Sequence, residues 1–116
     1  MSRVNLDDVI LTAPIIKSRM KLGVSRLPDA NSTISLDMGP VLSITPGAAR
    51  TLTLPAVTID MRGLTYYLVN GAAFAVTVNN ASAVAIGVVP ATIGATGMFV
   101  CLGDSTLGVG GWTGGL

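Results

Sequence analysis

Thr33-Ile34-Ser35-Leu36-Asp37-Met38 alternates polar and apolar side chains with a period of two, the spacing at which a strand buries one face and wets the other. Gly39-Pro40 interrupts it, and Val41–Ile44 follows as a second apolar segment. Thr45-Pro46-Gly47-Ala48 has the composition of a turn, with Pro presetting φ at the second position and Gly permitting a positive φ at the third. Arg50-Thr51-Leu52-Thr53-Leu54 alternates again and stops at Pro55, and Val57–Met61 predicts a short strand. Leu64–Val69 and Phe74–Val78 flank Asn70-Gly71-Ala72-Ala73, which predicts a hairpin turned at Asn-Gly. Ala83–Val89 and Met98–Leu102 predict two more strands, and Gly110–Thr113 a short last one. Roughly seven to nine short strands punctuated by Gly, Pro and Asn predict a sandwich or barrel. No window after residue 30 has the apolar periodicity of an amphipathic helix. The expected fold is therefore all-β, a jelly-roll-like sandwich of short antiparallel strands over residues 31–116 that ends in a Gly-rich tail anchored by Trp112.

Residues 1–30 read differently. Asp7-Asp8-Val9-Ile10-Leu11 can begin one helical turn, which Pro14 limits. In an extended chain Lys17, Arg19 and Lys21 share one side, while Ile16, Met20 and Leu22 share the other with Ser18. The expectation is an extended N-terminal arm that lies across a neighbour with its apolar side down. A flexible solvated leader is the plainer reading of the same residues.

Charge sharpens this division. Five of the seven Lys and Arg residues (Arg3, Lys17, Arg19, Lys21 and Arg26) fall within residues 1–30. From Gly63 to Leu116 the one charged side chain is Asp104. Charged residues make up 11% of the chain, against about a quarter in ordinary soluble domains. A half so poor in charge belongs either in a membrane or under other protein. The apolar runs are too short for the roughly 20 residues of a spanning helix, because Asn70-Gly71, Asn79-Asn80, Pro90, Gly94 and Gly97 cut them. Asp7 and Asp8 stand where a secretory signal has its basic region. No membrane is expected.

The chain has no His and no Glu. That excludes every triad with a His base and every His-containing metal site, and leaves paired carboxylates to six Asp. Asp29, Asp37 and Asp60 sit at apparent strand ends, and Asp104, in Gly103-Asp104-Ser105, reads as a turn residue. Cys101 lies in an apolar run with no basic neighbour, as a buried structural thiol does. The Gly-rich C-terminus has Thr113 where a dinucleotide loop needs Gly. No enzyme, no cofactor and no metal site is expected. Nucleic-acid binding is not expected either: the net charge is +1 and the aromatic residues lie apart from the basic ones. Tyr66 and Tyr67 are adjacent, so in a strand they face opposite ways, one to the core and one to a surface or subunit contact.

A neutral, apolar-rich β-body left alone in water aggregates through its edges and patches, and the usual remedy is a symmetric oligomer. Arg50-Thr51-Leu52-Thr53-Leu54-Pro55-Ala56, Tyr66-Tyr67-Leu68-Val69-Asn70, Val76-Thr77-Val78-Asn79, Gly97–Asp104 and Gly111-Trp112 together resemble small structural proteins of tailed bacteriophages, above all the capsid decoration (cement) proteins. The resemblance spans about residues 33–113 and rests on strand-and-turn rhythm. It implies a non-enzymatic virion protein on the outer surface of the head that bridges neighbouring major capsid subunits. On that reading Arg3, Ile16, Lys17, Arg19, Met20, Lys21, Leu22 and Arg26 meet the shell, while Tyr66, Tyr67 and Trp112 form contacts between copies, as dimer or trimer. Similar rhythms occur in tail-fibre and head-fibre modules that bind host-surface glycans. Such a module calls for Tyr66 or Tyr67 with Trp112 along an open groove.

Overall fold

The computed structural model describes residues 22–115. Nine strands are described: β1 (Val24–Arg26), β2 (Ser32–Thr33), β3 (Val41–Ile44), β4 (Arg50–Thr53), β5 (Thr65–Asn70), β6 (Val76–Asn79), β7 (Ala85–Val89), β8 (Thr96–Cys101) and β9 (Trp112–Gly115), with a single 3-10 turn at Ile59–Met61. They form a five-stranded sheet ordered β9-β8-β5-β3-β1 and a four-stranded sheet ordered β2-β4-β6-β7. The all-β, sandwich-like body expected from the pattern is present, with its core between the two sheets. Leu42, Ile44, Tyr66, Leu68, Phe99, Cys101 and Trp112 enter the core from the larger sheet; Leu52, Val76, Val78 and Val89 enter from the smaller.

The pairing is mixed and not purely antiparallel. β1–β3, β3–β5, β2–β4 and β4–β6 are parallel, and β5–β8, β8–β9 and β6–β7 are antiparallel. From β1 to β6 the chain changes sheet at every corner, so each return to a sheet runs in the same direction as the last. A parallel pair needs a crossover connection, and here the crossover is the intervening strand of the other sheet. This winding also corrects the expected hairpin at Asn70-Gly71: β5 and β6 lie in different sheets, and the four residues form part of a corner between layers.

The reason is visible at Asn70, which is fully buried. Its Nδ2 donates to the carbonyls of Phe74 (2.7 Å) and Pro90 (2.9 Å), and its Oδ1 accepts from the Ala72 amide at 3.1 Å. An Asn that satisfies the corner through its side chain has no need of the positive φ that a tight Asn-Gly hairpin requires. Asp29 and Asn31 bind successive corners together in the same manner. Asp29 Oδ1 accepts from the Gly47 amide and Arg50 Nε, each at 2.8 Å, and Asn31 Oδ1 accepts from the Thr51 amide at 2.9 Å.

Four further expectations change. Residues 22–30, expected in the arm, belong to the body, since β1 pairs with β3 and Leu27 joins the core; residues 1–21 lie outside the described residues. The predicted strand over Thr33–Met38 ends at Thr33, because Ser35 turns the chain: its Oγ bonds Asp37 Oδ1 and its carbonyl accepts the Met38 amide. Val57–Met61 closes into the 3-10 turn and makes no strand. The Gly-rich end is no loose tail, since Trp112–Gly115 pairs with β8. Gly111 allows this approach with φ +93°, at a point where a Cβ would lie 2.6 Å from Val57 Cγ2.

Candidate interaction face

Register places the outward residues of the larger sheet in rows. Val24, Val41, Tyr67, Met98 and Gly115 are mutually in register across all five strands. Arg26, Ser43, Val69 and Thr96 form the row on one side, and Thr65, Val100 and Thr113 the row on the other. Val24 is 62% exposed, Met98 46% and Tyr67 40%. Arg26 is the one charged residue in these rows.

The smaller sheet presents another kind of surface. Its outward rows are Thr51-Thr77-Val88 and Thr33-Thr53-Asn79-Ala85. In β4 and β6 polar side chains face outward and apolar ones inward, the ordinary pattern of a sheet with one solvated face, while β7 adds Ala85 and Val88 to the outside. In the larger sheet Tyr66-Tyr67-Leu68-Val69 and Met98-Phe99-Val100-Cys101 are apolar at both parities, the pattern of strands covered on both sides. The two faces of the sandwich therefore differ in kind, and the outer face of the larger sheet is the candidate site.

Charge is kept to the ends of the sandwich. Asp29 and Arg50 form an ion pair at one end, Nε to Oδ1 2.8 Å. The Gly47 amide, followed by Arg50, holds the Asp29 carboxyl below its ordinary pKa. Asp37 is likewise lowered, chiefly by the hydrogen bond from Ser35. Asp104 accepts from both Oγ1 (2.7 Å) and the amide (2.9 Å) of Thr106, and these bonds lower its pKa. All three act as turn locks, as their sequence positions predicted. A cleft of about 530 Å³ is lined by Leu36, Thr58, Asp60, Met61, Arg62 and Leu64. A second, of about 400 Å³, is lined by Arg26, Leu27, Ser43 and Thr45. Among the described residues no three of His, Cys, Asp or Glu gather as a metal site needs, and no helix is long and apolar enough to cross a membrane.

The predicted site residues separate. Arg3, Ile16, Lys17, Arg19, Met20 and Lys21 lie outside the described residues. Leu22 is 47% exposed just before β1, and Arg26 is exposed on β1 at the rim of the candidate face. Tyr67 is on that face. Tyr66 and Trp112 are not available to another copy: both are buried, their ring centroids 6.0 Å apart, and Trp112 Nε1 donates to the Pro55 carbonyl at 3.2 Å. The open groove that a glycan-binding module calls for is absent at these two residues. Val24, Val41, Val69, Met98 and Val100 were missed as site residues, although apolar residues at consecutive strand positions signalled them. No protein-family model, no curated protein and no solved structure matches this chain.

Proposed function

We propose that this chain is a structural protein of a bacteriophage particle, a decoration protein that sits on the outer surface of the head and braces neighbouring major capsid subunits. The observation that carries this reading is the uncharged outward row Val24-Val41-Tyr67-Met98 on a sheet whose other face already forms the core. A surface of that kind is stable in water when repeated contacts with protein cover it. Asp29, Asp37 and Asp104 are taken up by turns and corners, and Arg26 is the one charge in the outward rows. In this proposal the basic N-terminal residues Arg3, Lys17, Arg19 and Lys21, together with Arg26, meet acidic groups of the shell. Many equivalent weak contacts then sum to firm attachment.

The test is addition of the purified protein to heads assembled without it. Binding in a fixed ratio to shell subunits, with a raised temperature of shell disruption, supports the reading. Heads that neither bind the protein nor gain stability from it overturn it. Deleting residues 1–21 is expected to weaken binding and to flatten its loss with salt, because the exposed charge pairs that salt screens are then gone.

A further inference from the structure

An exposed apolar face of this kind calls for an occupant, and the face itself constrains which one. The occupant must be apolar and uncharged opposite Tyr67, Met98 and Val41, and must place nothing cationic against Arg26. The outward rows of this same sheet satisfy both conditions. We propose that two copies of the chain pair face to face through the larger sheet, about a two-fold axis running along β5, so that Tyr67 of one copy lies against Tyr67 of the other. The inference rests on the proposed function only in treating the chain as a repeated subunit.

The axis follows from the register. The central row reads Val24, Val41, Tyr67, Met98, Gly115 from one sheet edge to the other. A two-fold axis along the middle strand sets Val24 against Gly115 and Met98 against Val41, in each pair a larger residue against a smaller, with the two Tyr67 rings free to stack offset at the centre. β1 is two strands from β5, about 10 Å at the usual strand spacing. The two Arg26 residues then lie on opposite rims, about 20 Å apart laterally, beyond the ~8 Å screening length of physiological salt. An axis across the strands would instead stack β1 on β1 and bring both Arg26 residues to one rim.

Area sets the strength. Five strands at ~4.8 Å and about five residues at ~3.3 Å give a footprint of about 400 Å². A standard interface covers about 800 Å² per partner. Pairing is therefore weak in dilute solution and firm where a particle holds copies close together.

Engineered thiols and mass measurement test this on the full-length chain. Cys101 is buried and does not compete. A short bismaleimide cross-linker, which spans the ~10 Å between facing sheets that a disulfide cannot, is expected to link Tyr67→Cys to itself. It is also expected to link a mixture of Val41→Cys and Met98→Cys, but neither of these two alone. In sedimentation equilibrium Met98→Lys should weaken self-association at least about tenfold, while Thr77→Lys on the opposite face leaves it unchanged. Far-ultraviolet circular dichroism shows that each variant is folded. A chain that stays monomeric up to millimolar concentration overturns the inference, as does Val41→Cys linking to itself as readily as to Met98→Cys. Loss of pairing in Thr77→Lys but not in Met98→Lys also overturns it. A dimer that ignores phage heads sinks the proposed function alone, and a monomer that binds them sinks this inference alone.

Discussion

Tyr67 stands opposite Met98 across the β5–β8 ladder, and both project away from the core. Their neighbours Tyr66 and Phe99 are paired in the same ladder and point inward, each 1% exposed. Two adjacent tyrosines thus have opposite duties. Tyr66→Ala removes a ring packed on Trp112 and should cost ~3–5 kcal/mol of unfolding free energy. Tyr67→Ala should cost under about 1 kcal/mol, as a surface change does. Urea titrations of the two variants check this; equal losses would mean that the strand is rotated or that Tyr67 is covered within the monomer.

Asn70 makes a sharper case, because its neighbours in shape are not its equals in chemistry. Asn70→Ala leaves two carbonyls and one amide without their partner, and at ~1 kcal/mol or more for each buried orphan it should cost about 3 kcal/mol. Asn70→Asp keeps the size but points an acceptor at the Phe74 and Pro90 carbonyls. It should be at least as damaging at neutral pH and should recover in part on acidification, when the protonated acid can donate one hydrogen bond. Unfolding free energy of both variants measured at neutral and at mildly acid pH decides the matter; an Asp variant as stable as wild type would remove the corner role of the amide.

Asn70 also shows where sequence reasoning stopped. Val57–Met61 apart, the strand positions from Val41 onward, the core parity, the buried thiol and the turn role of Asp104 follow from period-two alternation and from turn chemistry, both local properties. Which sheet a strand joins is not local. Asn-Gly between two apolar runs is the signal of a hairpin, and only the buried amide and its partners twenty residues away make it a corner. β1 was hidden for a related reason: Val24-Ser25-Arg26 is short and sits next to a basic segment, so its charge outweighed its pairing. Trp112 was legible as an anchor, but its burial under Pro55 depends on contacts 57 positions apart. The candidate face is legible in the apolar residues at both parities of β5 and β8, which contrast with the clean alternation of β4 and β6.

Acidity should act through the turn locks. Asp29, Asp37 and Asp104 all have folded-state pKa values below the ordinary 3.8. A lowered carboxylate adds stability that is present above the unfolded-state value and is lost as pH falls through the folded one. Tyr66 is shifted the other way: burial raises it above 10.0, so its contribution is complete below that value and is lost as pH rises through the folded one. With no His to titrate between these limits, stability should be nearly flat from about pH 5 to pH 8. It should fall below about pH 4 and above about pH 10. Urea midpoints across this range check it, and a step near pH 6.5 would contradict it.

The β6–β7 connection offers a test in which the folded state gains. Asn80 Oδ1 accepts from the amides of Ser82 (2.9 Å) and Val84 (3.0 Å), and the Asn80 amide donates to the Val84 carbonyl at 2.8 Å. These bonds hold Ala83 at φ 63°, the one described residue other than Gly in the left-handed region. An L-residue there carries a cost of roughly 1–2 kcal/mol that glycine escapes. Glycine in turn frees the unfolded chain by ~0.4–1 kcal/mol. Ala83→Gly should therefore be neutral or stabilising by up to about 1 kcal/mol. Ala83→Val, branched at Cβ, should be destabilising by more than 1 kcal/mol. Thermal unfolding followed through Trp112 reports both directly: the chain's one tryptophan is fully buried, and its emission should move to the red as the fold opens. A lower midpoint for Ala83→Gly than for wild type would show that this turn does not hold the residue in the left-handed conformation.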